Sequence, residues 1–268
     1  MAPTQTSPEA LPFAAPCRDL TLMAPRRWLA AGWRDYRASL QLSLLYGGAL
    51  FLLSAAVIAL AWWLGRYVLV LAMLSGFVFV APLLATGLYS ISRQAQRGEQ
   101  PSLRRALQRM RLALGNAMTF ALLLMVVFLV WARAASMVHV FFPVGAETDW
   151  FTLLRFLAIG SAVGSIFAAV SFAVSAFSLP MIVDRDVDMI TACVTSVNAV
   201  LRNKRAMLVW ISLIVLLTAL GFATMGLGLV LVIPWLGYAS YHGYVATIDS
   251  SDWPLNDVTA DSAVETGR

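Results

Sequence analysis

The stretch "RAMLVWISLIVLLTALGFATMGLGLVLVIPWLGYASYHGYVATID" (205–249) decides the fold class. Its first and last residues, Arg205 and Asp249, are its only charged residues. A helix that crosses a membrane needs roughly 20 mostly apolar residues. The residues between the two charges are therefore long enough for two spans joined by a tight turn at 225–228. This stretch predicts a helical hairpin in a membrane.

Charge-free intervals of the same kind fill much of the remaining chain. They lie between Arg37 and Arg66, between Arg66 and Arg93, between Arg111 and Arg133, and between Arg155 and Asp184. Each interval is long enough for one span. The sequence thus predicts an all-α membrane protein of six helices that pair as three hairpins. Their approximate bounds are 42–64, 67–90, 115–137, 152–181, 207–225 and 228–247.

The composition agrees with this class. Hydrophobic residues make up 60% of the chain and charged residues 12%, whereas a soluble domain carries about 25% charged residues. The net charge of +5 needs no nucleic-acid partner, because basic residues beside membrane spans meet anionic lipid headgroups. The predicted partners are the bilayer and those headgroups, with a membrane protein partner or a second copy left open.

The basic residues also predict the orientation. Fifteen of them lie before the first span or in the loops after the second and fourth spans, and only Arg66, Arg133 and Arg155 lie on the other side. Positively charged loops stay in the cytoplasm. Both termini are therefore predicted to be cytoplasmic.

Short amphipathic segments precede the three hairpins. Apolar residues recur in each at steps of four, three and four, which trace one face of a helix. They are Leu29, Trp33, Tyr36 and Leu40, then Leu103, Leu107, Met110 and Leu114, then Ile190, Val194, Val197 and Leu201. The pattern predicts three helices lying at the cytoplasmic interface.

The two ends of the chain are predicted to be disordered. Residues 1–26 form a predicted cytoplasmic tail, and residues 249–268 form a second one that is acidic and polar. The membrane domain between them is predicted to cover 27–248.

Prolines occupy the returning helix of each hairpin, at Pro82, Pro180 and Pro234. Two of these segments align without a gap, "GFVFVAPLLATGLY" (76–89) and "GLVLVIPWLGYASY" (228–241). The shared residues include Gly76 with Gly228, Pro82 with Pro234, and Tyr89 with Tyr241. A proline kinks a helix and frees one carbonyl. The kinks either open a cavity or serve packing.

The fourth helix carries small residues on one face: Gly160, Gly164 and Ala168. Small residues let helix backbones approach closely in lipid. The pattern predicts that this face lies at the bundle centre or at a dimer face.

Three carboxylates, Asp184, Asp186 and Asp188, follow the fourth helix. They match the first ligand positions of a calcium loop, but Met189 and Thr195 stand where that loop needs glycine and glutamate. An aspartate at the start of a helix caps free N–H groups and meets the positive end of the helix dipole. We interpret the cluster as a cap and membrane boundary, with a weak cation site or catalysis as alternatives.

Other reactive residue types form no recognisable set. His139 and His242 are predicted on opposite membrane faces, so they cannot ligate one haem. Cys17 and Cys193 lie on the reducing side, where a disulfide is not expected. The spans hold no carboxylate, and the sequence contains no metal-ligand spacing and no Ser/His/Asp set. No catalytic, cofactor-binding or metal-binding residue is predicted, and no cofactor.

Three blocks resemble a known family: "APLLATGLYSISRQAQRGEQPSL" (81–103), "SLPMIVDRDVDMITACVTSVNAVLRN" (178–203) and "LTALGFATMGLGLVLVIPWLGYASYHGY" (217–244). Together they resemble the bacterial predicted integral membrane proteins catalogued as domain of unknown function 2189, over about 35–247. The resemblance implies a multi-pass protein of the bacterial inner membrane. It implies no activity and no catalytic residues.

Three functions stay open. The first is a non-enzymatic accessory or scaffold of a membrane complex. The second is a carrier or channel for a small anionic, uncharged or lipid-like solute, and the third is a membrane enzyme. A polar cavity between the helices of Pro82 and Pro234 would favour transport, and a filled bundle would favour a scaffold. Clustering of His242 with the three aspartates would favour an enzyme.

Overall fold

A computed structural model describes residues 12–64, 84–141 and 149–256. Within these ranges the chain forms helices and no strands, apart from two isolated bridges. The helices are α1 (Ala24–Ala38), α2 (Leu40–Leu64), α3 (84–96), α4 (Leu103–Leu112), α5 (Leu114–Phe141), α6 (Trp150–Ser175), α7 (Ser178–Asp184), α8 (Met189–Arg202), α9 (Lys204–Ala223) and α10 (Leu229–Thr247). The all-α class predicted from the sequence is confirmed.

Among the described residues, four helical stretches are long and apolar enough to cross a membrane. They are Leu40–Leu60, Leu114–Val138, Trp150–Asp184 and Lys204–Ala223. These correspond to the first, third, fourth and fifth predicted spans. Most of the second predicted span, 67–90, lies outside the described residues, which include only its end in α3.

Helix α10 has nearly the bounds predicted for the sixth span, 228–247, but it is not among these four stretches. Its second half contains Tyr238, Tyr241, His242 and Tyr244, which lower its hydropathy. The three tyrosines are buried. Helix α10 packs against α1, α2 and α9, so it is an internal helix of the described bundle.

Helix α1 lies where the sequence predicts the first interfacial helix, but protein covers its apolar face. Trp28 and Tyr36 are buried, and Trp28 packs edge-on against Trp210 of α9. A Cβ atom added to Gly32 would lie 2.6 Å from the backbone nitrogen of Ala239. Glycine at position 32 therefore permits the close contact between α1 and α10.

Helices α4 and α8 occupy the positions of the other two predicted amphipathic helices. In contrast to α1, both expose apolar residues at the predicted positions, for example Leu107 in α4 and Ile190 in α8. The buried face of α8 consists of small, thiol and hydroxyl side chains instead: Thr191, Ala192, Cys193, Thr195, Ser196 and Ala199.

The fourth predicted span is interrupted. The sequence predicts one helix over 152–181, whereas α6 ends at Ser175 and α7 begins at Ser178. Ser196 Oγ accepts a hydrogen bond of 3.1 Å from the backbone N–H of Phe177 at the break. Pro180 lies in the first turn of α7, where a helix has no internal partner for an N–H group, so the proline costs no hydrogen bond there.

Both ends of the described chain are packed, in contrast to the predicted disordered tails. The N–H groups of Ala15 and Leu20 donate to Thr195 Oγ1 and to Asn203 Oδ1, at 3.0 and 2.8 Å. The N–H of Asp249 donates to the carbonyl of Pro16 at 2.9 Å. The structure thus departs from the prediction over 12–26 and 249–256, while 1–11 and 257–268 lie outside the described residues.

Candidate functional site

Charged and polar side chains from α1, α3, α7 and α10 meet at the end of the bundle where these two terminal segments pack. We call this group the polar layer. It consists of Asp35, Ser92, Arg93, Asp184, Tyr241, His242 and Tyr244. The layer brings residues together from four distant parts of the sequence.

A buried ion pair lies at the centre of the polar layer. Arg93 Nε is 2.7 Å from Asp184 Oδ1, and the two side chains are 1% and 10% exposed. Removing two charges from water costs several kcal/mol per ion, and their attraction offsets this only when further hydrogen bonds satisfy both groups. The surrounding contacts therefore decide whether the pair is a stable structural feature or a strained one.

The further contacts of Asp184 satisfy both carboxylate oxygens. The hydroxyl of Tyr241 donates to Oδ1 at 3.2 Å, and the hydroxyl of Tyr244 donates to Oδ2 at 3.0 Å. Arg185 Nε also donates to Oδ2, at 3.1 Å. The carboxylate thus accepts hydrogen bonds from three donors beside its ion pair with Arg93, and these contacts hold it in one position.

Arg93 also ties the C-terminal segment to the bundle. Its Nη1 donates to the carbonyl of Asn256 at 3.0 Å, and its Nη2 donates to the carbonyl of Asp184 at 3.2 Å. The N–H of Asn256 donates to the same carbonyl of Asp184 at 3.0 Å. Arg185 Nη1 donates to the carbonyl of Trp253 at 2.8 Å. The buried pair therefore fixes residues 253–256 as well as α3 and α7.

A second pair, Asp35 and His242, lies beside the first. His242 Nε2 is 2.8 Å from Asp35 Oδ2, and Ser92 Oγ donates to the same oxygen at 2.6 Å. Gln96 Nε2 lies 3.0 Å from the other ring nitrogen of His242. Ser92 precedes Arg93 on α3, and His242 follows Tyr241 on α10, so the two pairs are adjacent.

Ser92, His242 and Asp35 do not have the geometry of a catalytic triad. A serine nucleophile needs a hydrogen bond to the imidazole that takes its proton. Here the carboxylate of Asp35 lies between the other two and binds both, while Gln96 engages the remaining imidazole nitrogen. The sequence indicates no Ser/His/Asp set, and the three residues that do meet act as a link between α1, α3 and α10.

The three aspartates of the predicted cluster do not converge. Asp184 points into the polar layer, and Asp186 is exposed. Asp188 is the N-cap of α8, because its Oδ1 accepts from the N–H of Thr191 at 2.9 Å. Burial opposes ionisation of Asp188, but the hydrogen bonds from Thr191 outweigh it and hold the pKa below its usual value. No group of three or more potential metal ligands occurs in the described part of the chain.

The proline segments are only partly described. The described residues do not include Gly76 and Pro82. They also do not include Arg66 or the side chain of His139. Tyr89 and Pro234 are buried. Gly228 precedes α10, and its N–H donates to Thr224 Oγ1 at 2.7 Å. The predicted cavity between the two proline helices is therefore untested.

The small-residue face of α6 is open within the described chain. Helix α6 buries none of its residues, and no atom lies within 4 Å of a Cβ added to Gly160. Two apolar cavities of about 440 and 280 Å³ lie between α5 and α6. We call these two cavities the α5–α6 groove. Gly160, Gly164 and Ala168 lie on its wall, facing aromatic residues such as Phe128 and Trp131.

Residues 69–184 match a family model described as "Predicted integral membrane protein (DUF2189)". The resemblance expected from the sequence is thus confirmed over that range. No curated protein and no solved structure matches the chain at a significant level.

The residues matched by the DUF2189 model include the buried ion pair. Its range contains Arg93 and ends at Asp184, so both partners of the pair lie in the matched region. Asp35, Tyr241, His242 and Tyr244 lie outside it. The description of the family supports a membrane-embedded protein, in agreement with the apolar helices.

Proposed function

We propose that the protein is a non-enzymatic accessory or scaffold subunit of a membrane complex, which holds a transmembrane helix of its partner in the α5–α6 groove. The observation that carries the proposal is the open face of α6. Within the described chain, this helix of 26 residues has none fully buried and leaves part of its surface open.

The composition of the groove suits a helix. Its walls combine small residues on α6 with aromatic residues on both helices, such as Phe128, Trp131 and Phe167. In lipid, helices associate through close backbone approach at small residues and through packing of larger side chains beside them. The cavity of about 440 Å³ is bordered mainly by apolar side chains, so an apolar helix fits it without loss of hydrogen bonds.

A pair of photo-crosslinking positions tests this proposal in native membranes. We place p-benzoylphenylalanine at Phe167, which lines the groove, or at Ile166, which is exposed on the opposite side of α6. We expect one discrete protein adduct from position 167 and none from position 166. Equal protein adducts from both positions, or adducts only with lipid at position 167, would contradict the proposal.

Lipid adducts at position 167 would support the second candidate function. An apolar groove open to the side also fits acyl chains, and this favours a carrier of a lipid-like solute among the remaining functions. The crosslinked product distinguishes the two because a protein partner and a lipid differ in mass by more than an order of magnitude.

We further propose the full topology: six spans as three hairpins, each preceded by an amphipathic helix, in a bacterial inner membrane with both termini cytoplasmic. The distribution of basic residues supports it, as does the turn between α9 and α10, in which Met225 is exposed. Alkaline phosphatase fused after Met225 should be active, and the same fusion at the C-terminus should be inactive. The opposite pattern, or equal activity, would contradict this topology.

A further inference from the structure

We infer that α8 and the start of α9 form a binding surface for anionic lipid headgroups. We call it the α8 surface, and its apolar part consists of Ile190, Val194, Val197 and Leu201. Its basic part consists of Arg26, Arg27, Lys204 and Arg205. This surface is separate from the α5–α6 groove, so the inference stands independently of the proposed partner helix.

The two faces of α8 are reversed relative to a helix on a water-soluble protein. Its inward face carries the buried hydroxyl residues Thr191, Thr195 and Ser196, whereas Ile190 and Leu201 are 58% and 56% exposed on the outer side. A surface helix in water buries its apolar stripe and exposes its polar one. The outer side of α8 therefore faces an apolar medium.

A membrane-spanning candidate with its own exposed apolar stripe follows α8 directly. Residues seven apart lie on the same side of a helix, and Leu208, Val215 and Phe222 of α9 are all at least 61% exposed. Only Asn203 separates α8 from α9, which is long and apolar enough to cross a membrane. Since the chain passes from the α8 surface directly into a candidate span, lipid is a better occupant for that surface than a soluble protein.

Basic residues border the end of this stripe. Arg26, Arg27, Lys204 and Arg205 are exposed and form no ion pair within the described residues. Arg202 differs from them, because its Nε binds Asp19 Oδ1 at 2.8 Å.

Two contacts bring the starts of α1 and α9 together. The Leu20 N–H donates to Asn203 Oδ1, and Trp28 contacts Trp210. Cations beside an apolar stripe match anionic headgroups above acyl chains. The complementarity of charge thus selects an anionic lipid over a neutral one.

Helix α1 supplies a matched control. Its apolar face is covered by α10, so its exposed cations Arg34 and Arg37 belong to a helix whose apolar face is packed against protein. Removing two charges there changes the net charge as much as removing Lys204 and Arg205. A general effect of charge on lipid binding would therefore appear in both R34Q/R37Q and K204Q/R205Q. Loss of a local lipid site would appear only in K204Q/R205Q.

Photo-crosslinking to lipid tests the inference on the full chain. The protein carries p-benzoylphenylalanine at Leu201 and is reconstituted in nanodiscs of equal phosphatidylglycerol and phosphatidylcholine, and mass spectrometry counts the adducts. We expect at least roughly threefold more phosphatidylglycerol than phosphatidylcholine adducts. The ratio should approach one in K204Q/R205Q and in high salt, and it should stay unchanged in R34Q/R37Q.

Three outcomes would overturn the inference. They are equal adducts of the two lipids in the parent protein, no lipid adduct at position 201, and an unchanged ratio in K204Q/R205Q. All the substituted residues are exposed, and size-exclusion profiles of each variant verify that it is folded. A failed crosslink at Phe167 would leave this result unaffected, because Phe167 lies in the α5–α6 groove and not on the α8 surface.

Discussion

The polar layer and the α5–α6 groove differ in how many contacts the protein's own residues make there. In the polar layer the carboxylate of Asp184 accepts three hydrogen bonds within 3.2 Å and lies 2.7 Å from Arg93 Nε. In the groove, a Cβ added to Gly160 would have no neighbour within 4 Å among the described residues. A set of charged residues that is enclosed and joined by ion pairs and hydrogen bonds holds a structure together, whereas an unfilled apolar surface in lipid is available to another molecule. The comparison therefore supports the proposal that the groove binds a partner and that the polar layer stabilises the fold.

The largest effect is expected from Asp184→Ala. The substitution leaves Arg93 buried without its carboxylate, and breaking one side of a buried pair costs about 3–5 kcal/mol. Unfolding by sodium dodecyl sulfate, followed by tryptophan fluorescence, measures this loss. The double variant R93M/D184L removes both charges and should recover much of it. A loss below about 1 kcal/mol for D184A would mean that the pair is not the structural centre of the layer.

Glycine substitutions compare close packing with the open groove. A Cβ added to Gly47 would lie 2.0 Å from the carbonyl oxygen of Val230, so Gly47→Ala forces α2 and α10 apart and should cost about 1–3 kcal/mol. In the part of the chain that the structure describes, Gly48→Ala and Gly160→Ala meet no neighbouring atom within 4 Å. Because alanine is favoured over glycine inside a helix, both should be neutral or stabilising by up to about 1 kcal/mol. The same unfolding assay measures all three, and equal losses at positions 47 and 160 would remove the contrast between the tight α2–α10 contact and the open groove.

The smallest effect is expected from Asp188→Ala, which removes the N-cap of α8 outside the polar layer. Loss of such a cap costs about 1 kcal/mol. The folded pKa of Asp188 is below its usual value, so its contribution is present above the unfolded pKa and disappears as the pH falls through the folded pKa. The difference in unfolding free energy between parent and D188A should therefore be constant near neutral pH and shrink in acid. A difference that grows in acid would show that the carboxylate is not the cap.

The sequence predicts local features of this molecule well because local spacing determines them. The steps of four, three and four locate α1, α4 and α8, and charge-free intervals locate α2, α5, α6 and α9. Spacing does not reveal what covers an apolar face, so α1 is predicted at the lipid interface although α10 covers it. Glycine at position 32, opposite α10, was the available signal for that close contact.

The polar layer could not be predicted because its contacts join distant positions. Arg93 and Asp184 are separated by 91 residues, and Asp35 and His242 by 207. Helical periodicity and charge counts place all four near one membrane face, but they do not pair them. One signal was present in the sequence: Tyr241 and Tyr244 are three residues apart on one helix face, which suits two hydroxyl groups that share an acceptor.

The measurement that tests the central claim most directly is purification in mild detergent from native membranes, with mass spectrometry of the proteins and lipids retained. The parent chain is compared with Gly164→Leu, which fills the groove, and with Ala162→Leu, which adds the same bulk to an exposed position on α6. We predict one stoichiometric membrane protein partner with the parent and with A162L, and its loss with G164L. Retention of the partner by G164L, or a parent chain that carries only lipid, would contradict the proposal that the α5–α6 groove holds a partner helix.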